Sequence, residues 1–365
     1  MFALIKELTE LIGPVGQEQI VLDHVEALWR EQGLAVGRTR TGNLLAEAGG
    51  EGPRVLLVAH ADELCYLVRA IHPDGFLWLA NGQAWTRTTS LRNAFTIGQR
   101  VQVLARSGAL PGVIAATTGH LASLALPELT ELTWRDFWVD TGLSQEELSA
   151  RGVTPGTRVV WDATTERFGP HVVGKALDDR VLLAVMTELA RRVPAAEMRC
   201  RLTLAVSVQE EIGIIGASAL GAHAGSAQPG VEGGFDAALV LEIGLAGDIP
   251  GVQEDVMPLR LGGGPALVHK DALVHYDHRV TAALEQAAAE AQIVIQHAVF
   301  GSFGSDGAAL MRADIPTALL AFPARYTHTP FETGHLGDIE ALVEWLAAFV
   351  RSADRLLGGV GILRA

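Results

Sequence analysis

Val55-Leu-Leu-Val-Ala59-His60-Ala-Asp62 joins an unbroken apolar run to polar side chains of the kinds that bind metal ions. An apolar run of this length is typical of a strand that is covered on both faces of a sheet. Residues 43–48 form a second predicted strand, and the glycine-rich residues 49–52 supply the turn between the two. The stretch therefore predicts a buried strand with a candidate site at its carboxyl end.

Similar apolar strands alternate with amphipathic helices through the second half of the chain. This alternation predicts an α/β fold, with a mixed, largely parallel sheet that is covered by helices on both faces. The predicted strands lie at residues 43–48, 54–59, 201–208, 237–241, 293–299 and 317–321, and the predicted helices at residues 3–12, 181–190, 280–291 and 342–357.

Residues 66–165 have a different pattern, in which short β-type runs are broken by Gly, Pro and Asn. One short helix is predicted within this stretch, because Ser144 and Glu147 have the spacing of a capping box. The pattern predicts an inserted β-barrel-like domain. Residues 1–65 and 166–365 would then form one α/β domain that the insertion interrupts.

The composition excludes several classes of partner. The net charge is −14 without any run of Lys or Arg, which argues against nucleic acid or an anionic membrane as a partner. No segment approaches about 18 consecutive apolar residues, and the first residues do not resemble a signal peptide, so the cytoplasm is the predicted location. Cys65 and Cys200 are interpreted as buried small hydrophobes, so any metal would be held by His and carboxylates.

Candidate ligands follow the predicted buried strands. His60 can offer a ring nitrogen to a metal, and Asp62 can hydrogen-bond the other nitrogen and fix its tautomer. Glu210 and Glu211 follow the strand at residues 201–208. Two adjacent carboxylates directly after a buried strand are unfavourable there unless one binds a cation and the other holds a proton.

Three further residues extend this set. Glu242 follows the strand at residues 237–241 and has to be paired or metal-bound if it is buried. His328 follows the strand at residues 317–321, and Asp178 opens a predicted helix. Together the residues could hold two divalent ions about 3.5–4 Å apart with a bridging water between them. Mixed nitrogen and oxygen ligands suit Zn²⁺, and also Co²⁺ or Mn²⁺.

The sequence resembles the dinuclear-metal aminopeptidases that include the tetrahedral (TET) aminopeptidases, glutamyl aminopeptidase and deblocking aminopeptidase, metallopeptidase family forty-two. The resemblance covers nearly the whole chain. Its motifs are Gly13-Pro-Val-Gly16-Gln-Glu18, Ala59-His60-Ala-Asp62-Glu63, Gly174-Lys-Ala-Leu-Asp178-Asp-Arg180, Val208-Gln-Glu210-Glu211-Ile-Gly213-Ile-Ile-Gly216-Ala217, Gly247-Asp248-Ile-Pro250-Gly251, Gly304-Ser-Asp306-Gly and Arg325-Tyr-Thr-His328-Thr-Pro330-Phe-Glu332.

The resemblance implies a zinc-exopeptidase-like fold and a role for each candidate residue. Asp178 would bridge two metals, with His60 and Glu242 completing one site and Glu211 and His328 completing the other. Glu210 would be the general base, and Asp62 would orient His60. Peptides with a free amino terminus would be the substrates, and the inserted domain would build a homo-oligomer, either a dimer or a dodecamer. Glu242 departs from the family, which usually has Asp at this position.

Two other functions use the same residues. A co-catalytic-metal deacylase or amidase acting on N-acyl amino acids would need the same ligands and base. An inactive, metal-stabilised oligomeric scaffold would need the ligands but not Glu210. Asp306 is either a helix N-cap or a substrate contact. The remaining histidines, among them His269 and His297, are interpreted as structural or surface residues.

Overall fold

The conformation of the chain is given by a computed structural model, which divides it into two compact units. The discontinuous unit comprises Met1–Asp62 and Thr165–Ala365, and the inserted unit comprises Glu63–Thr164. The structure describes residues 1–81, 96–117, 133–224, 234–301 and 303–363, with only the backbone of residues 223 and 224.

The strands of the described ranges are β1 (Ala35–Arg38), β2 (Leu44–Gly49), β3 (Arg54–His60), β4 (Tyr66–Ile71), β5 (Leu77–Asn81), β6 (Arg100–Ala105), β7 (Gly108–Ala116), β8 (Phe137–Asp140), β9 (Arg158–Trp161), β10 (Glu166–Phe168), β11 (His171–Gly174), β12 (Arg201–Ser207), β13 (Ala237–Leu245), β14 (Ala266–Lys270), β15 (Gln296–Val299), β16 (Thr317–Arg325) and β17 (Glu332–His335).

The α-helices of the same ranges are α1 (Phe2–Glu10), α2 (Gln19–Glu31), α3 (Gln145–Ala150), α4 (Leu177–Arg192), α5 (Ile215–Ala224), α6 (His278–Glu290), α7 (Gly307–Arg312), α8 (Leu336–Val350) and α9 (Ala353–Gly359). None of the helices in these ranges has the length and apolar character that crossing a lipid bilayer requires.

The discontinuous unit is built on one mixed sheet. Its strand order is β1-β2-β12-β3-β13-β16-β17-β11-β10, with β14 pairing with β16 and β15 with β14. The four central strands, β12, β3, β13 and β16, run parallel to one another. The flanking pairs are antiparallel, except that β14 and β15 run parallel. The parallel centre matters for function, because the carboxyl ends of parallel strands lie at the same edge of a sheet.

Apolar side chains of β3 explain why helices cover both faces of this sheet. Val55 and Leu57 belong to one hydrophobic cluster, whereas Leu56 and Val58 belong to a second cluster. Successive side chains of a strand point to opposite faces, so the unbroken run supplies apolar surface to both. This arrangement confirms the predicted α/β fold with a mixed sheet.

The inserted unit contains a closed barrel with the strand order β4-β5-β8-β7-β6-β9. Alternate residues of these strands point into a small core of their own, which includes Leu77, Val103 and Val139. Ser144 and Glu147 form the predicted capping box at the start of α3. The barrel confirms the predicted class of this part of the fold.

Two of the predicted elements are interrupted or shortened by turns. The single closing helix predicted at residues 342–357 is two helices, α8 and α9, with a turn after Val350. Strand β15 begins at Gln296 rather than at residue 293, because the chain first makes a turn at Gln292, where φ is 55°. Apolar periodicity continues across both turns, which is why the pattern alone did not show them.

Candidate metal centre

The candidate residues lie at the carboxyl edge of the parallel strands. His60 is the last residue of β3, and Glu210 and Glu211 follow the end of β12. Glu242 lies inside β13, which continues to Leu245 because it pairs with β16 over that whole length. The prediction that the strand ends before Glu242 is therefore wrong, although its side chain still joins this edge.

Asp178 lies between the two histidines. Its Oδ1 is 3.0 Å from Nε2 of His60, and its Oδ2 is 3.4 Å from Nε2 of His328. Asp178 lies at a kink near the start of α4, where its φ and ψ are −76° and 103°. This non-helical backbone directs the carboxylate towards both imidazoles, so that each oxygen faces a different one.

Two groups of ligand-type atoms result, and they share Asp178. One group comprises His60, Asp178, Asp179 and Glu242, and the other comprises Asp178, Glu211 and His328. Within each group the ligand atoms lie within 4.8 Å of one another. In the second group, Oε1 of Glu211 is 3.4 Å from Nε2 of His328. The structure thus brings together all five predicted ligands.

Asp62 occupies the position from which it can orient its neighbours. Its backbone carbonyl lies 3.2 Å from Nδ1 of His60, and its Oδ1 lies 3.5 Å from the same nitrogen. The same carboxylate accepts hydrogen bonds from the backbone N–H groups of Glu210 and Glu211, at 3.0 and 3.1 Å. Asp62 therefore contacts both the His60 ring and the loop that carries the two glutamates.

Burial and mutual repulsion dominate the electrostatics of these acids. Burial raises the pKa of Glu210 and of Glu242, and burial together with nearby Asp178 raises the pKa of Glu211 to about 7. Burial would also raise the pKa of Asp178, but hydrogen bonds to His328 and His60 hold it well below its usual range. A cluster of buried carboxylates of this kind is stabilised by bound cations.

A further observation supports the fit of this donor set to divalent cations. Asp179 Oδ1 is buried and has no hydrogen-bond partner among the described residues, and the same is true of Glu211 Oε1. Buried acceptors in this state are costly unless something satisfies them, and coordination to a cation does so. Imidazole nitrogens and carboxylate oxygens together suit Zn²⁺, Co²⁺ or Mn²⁺.

Sequence reasoning did not identify the backbone contacts of three buried acids. Asp179 accepts the backbone N–H of His60 at 3.0 Å, and Glu332 accepts those of His328 and Asp178 at 2.7 and 3.1 Å. Glu18 accepts the N–H of Gln209 at 3.2 Å. Only a loose signal pointed to them, since each lies within a motif or beside a predicted ligand.

Asp306 stands at the N-cap position of α7, but among the described residues its side chain makes no capping hydrogen bond. Its Oδ2 instead accepts from the Ser207 hydroxyl, at the end of β12. Burial raises the pKa of Asp306 to about 6. Asp306 therefore supports the strand that leads into Glu210.

Comparisons with known proteins agree with this geometry. The sequence profile of the family described as M42 glutamyl aminopeptidase matches residues 42–345. FrvX of Escherichia coli (strain K12), a relative described as an aminopeptidase, is 30% identical over 351 residues, which cover 95% of this chain and 94% of FrvX.

Solved structures show the same likeness. A TET aminopeptidase from the marine sediment archaeon Thaumarchaeota archaeon SCGC AB-539-E09 superposes with a TM-score of 0.87 at 27% identity, covering 98% of each chain. The TET1 peptidase of Pyrococcus horikoshii, described as assembling into a tetrahedron or a large octahedral shell, gives 0.80 at 26% identity, covering 95% of this chain and 98% of that one.

Proposed function

This chain belongs to the M42 glutamyl aminopeptidase family and is a metallo-aminopeptidase, and we propose that it hydrolyses amino-terminal residues from peptides at a centre for two divalent ions. His60, Asp178 and Glu242 would hold one ion, and Asp178, Glu211 and His328 the other. The observation that carries the proposal is that Asp178 belongs to both ligand groups, with one oxygen directed to each histidine.

The protein side chains divide the remaining work. When bound, the two ions would lower the pKa of a water and polarise the substrate carbonyl. Glu210 would accept a proton from that water as the water oxygen adds to the carbonyl carbon, and would pass the proton to the leaving amine as the peptide C–N bond breaks. The Asp62 carboxylate would hold Glu210 in place by accepting the backbone N–H of Glu210, and would orient the His60 ring through its Nδ1.

The proposal is tested by comparing free peptides with N-acetylated peptides of the same sequence, in metal-stripped protein and after adding Zn²⁺, Co²⁺ or Mn²⁺. We expect no turnover without metal, and restored cleavage of the free peptides alone. Full activity in thoroughly stripped protein would contradict the metal requirement. Preferential cleavage of N-acylated amino acids would instead indicate a deacylase that uses the same ligands and base.

We further propose that the inserted unit, Glu63–Thr164, builds contacts between subunits, giving a dimer or a dodecamer. The support is the similarity to the TET1 peptidase of Pyrococcus horikoshii, which is described as forming closed shells. The unit also has its own barrel and its own apolar core, so it does more than connect β3 to β10.

The cytoplasm is proposed as the compartment, in keeping with the two free cysteines.

A further inference from the structure

A third group of ligand-type side chains lies away from the catalytic residues, on other strands of the same sheet. It comprises His269 at the end of β14, His297 on β15 and Glu285 on α6, and their ligand atoms lie within 4.8 Å of one another. Neither the proposed reaction nor the family similarity gives these residues a task.

The strand register explains how the two histidines meet. β14 and β15 run parallel, with Leu267 opposite His297, and a bulge follows Val268. His269 is the residue inside that bulge, and its ring lies beside the ring of His297. Leu267 packs in the hydrophobic cluster that also contains Leu284 of α6, so this helix covers the face on which Leu267 lies and carries Glu285 to the histidines.

The ring geometry favours a shared ligand. Nε2 of His269 lies 2.9 Å from Nδ1 of His297, and the rings are stacked at 5.2 Å with 12° between their planes. Oε1 of Glu285 is 3.8 Å from the same nitrogen of His297. In the described ranges, no Lys or Arg forms an ion pair with Glu285.

We propose that His269, His297 and Glu285 bind one divalent transition-metal ion, of which Zn²⁺ is the best match. Two imidazoles and one carboxylate form a recognised zinc set that leaves room for water. Nitrogens bound to Zn²⁺ at about 2.0–2.1 Å with a tetrahedral angle lie about 3.3 Å apart, so the present spacing needs only a small widening. His297 is exposed and can make that change without disturbing the core.

Binding would connect three elements that otherwise meet mainly through apolar packing. A bound ion would tie α6 to β14 and to β15, and β15 is an edge strand paired only with β14 in the described sheet. Because the ion binds the folded arrangement, it would stabilise the protein independently of the catalytic centre.

The test counts Zn²⁺ ions per subunit after equilibrium dialysis against buffered ZnCl₂, followed by elemental analysis. We expect His297→Gln and Glu285→Gln each to bind one ion fewer than the parent and to keep parental peptidase activity when loaded. The matched control is His275→Gln, which removes an exposed histidine that belongs to none of the three ligand groups in the described part of the chain. It should bind as many ions as the parent.

A second readout keeps the result interpretable if the counts are close. Added Zn²⁺ should raise the unfolding temperature of Glu211→Gln by more than that of the Glu211→Gln/His297→Gln double variant. Equal counts in the parent and His297→Gln, with equal thermal shifts in the second comparison, would overturn the proposal and leave a plain imidazole–imidazole hydrogen bond. Failure here leaves the proposed function intact, because that function concerns the two ions of the candidate metal centre, which share none of these ligands.

Discussion

Glu210 and Glu211 are neighbours in the sequence, but their side chains meet different groups. Glu211 contacts His328 and belongs to a ligand group, whereas Glu210 does not. We predict that Glu210→Gln lowers kcat by at least about 10²-fold, the usual scale for removing an acid–base group, and leaves metal content near that of the parent. Glu211→Gln should lose metal from one site. Steady-state kinetics and elemental analysis measure the two effects.

These two variants also serve as controls for each other. A near-parental kcat for Glu210→Gln would show that the base is assigned wrongly. Loss of metal from Glu210→Gln but not from Glu211→Gln would mean that the two roles are exchanged. An inactive scaffold would show no catalytic defect in either variant, because it would have no turnover to lose.

Glu18 belongs to neither ligand group of the candidate metal centre. Its side chain nevertheless fixes the start of the loop that carries Glu210 and Glu211. Its Oε1 accepts the N–H groups of Gly16 and Gln209, and Asp62 accepts those of the next two residues. We predict that Glu18→Ala lowers kcat by between about 10-fold and about 10²-fold with little change in KM, because a small displacement of the base is costly. Metal content should stay parental.

The conservative variant tells a positioning role from a charge effect. Glu18→Gln keeps an oxygen that can accept both hydrogen bonds, so it should restore most of the lost kcat. Equal defects in Glu18→Gln and Glu18→Ala would mean that the negative charge matters, not the accepted bonds. Parental kcat in Glu18→Ala would remove the positioning role.

At this scale the sequence shows ligand types more clearly than supporting contacts. His60, Glu211 and Glu242 could be chosen because polar residues next to buried apolar strands are unusual. Glu18 and Glu332 could not be chosen in this way, because their partners are backbone N–H groups far along the chain or in a loop. Which backbone N–H group donates to a buried carboxylate depends on the path of the chain in the folded protein. Residue types alone do not determine that path.

Arg180 joins two helices and a loop of the discontinuous unit. It is fully buried, and its guanidinium donates to the carbonyl oxygens of Ala61, Leu8 and Gly13, at 2.5, 3.0 and 3.1 Å. The last carbonyls of a helix have no partner within that helix, so Arg180 satisfies one at the end of α1. It thereby fixes the chain near His60.

We predict that Arg180→Lys lowers the free energy of unfolding by at least about 2 kcal/mol, because an ammonium cannot reproduce the fork of donors and leaves buried carbonyls unpaired. The matched control is Arg191→Lys on the same helix, where the side chain is 55% exposed and pairs with Glu188. That change should stay within about 0.5 kcal/mol. Equilibrium chemical denaturation measures both, and equal effects would contradict the role of Arg180.

Two loops of the site have backbone conformations that their residue types do not reveal. Gln209 and His328 have φ values of 54° and 65°, in the left-handed region that usually favours Gly. Each donates its N–H to a buried carboxylate, from Glu18 and Glu332 respectively. These bonds stabilise a backbone that costs of order 1–3 kcal/mol for a residue with a side chain. The sequence predicted the strands because periodicity is local, but not these turns, because their support is tertiary.

On the scale of the whole molecule, the inserted unit carries aromatic side chains on the outside of its barrel. Leu77, Leu79 and Val139 point into the barrel, so Trp78 and Trp138 between them point outward. The two tryptophans lie opposite each other on β5 and β8, with ring centroids 5.8 Å apart, and Phe76 lies 5.8 Å from Trp138. We call these three residues the outer aromatic patch.

Outward aromatic residues of this kind are typical of protein interfaces, where Trp often carries much of the binding energy. We predict that the parent is an oligomer at micromolar concentration and that Trp78→Ser/Trp138→Ser has a lower mass by light scattering. The control Arg100→Ser removes a side chain that is 77% exposed on β6 of the same barrel, and it should keep the parental mass. Circular dichroism would show whether each variant is folded.

A monomeric parent would contradict the assembly role of the inserted unit. A double variant that is folded and keeps the parental mass would place the contacts on another part of the chain, since a folded barrel without its outward tryptophans would still associate.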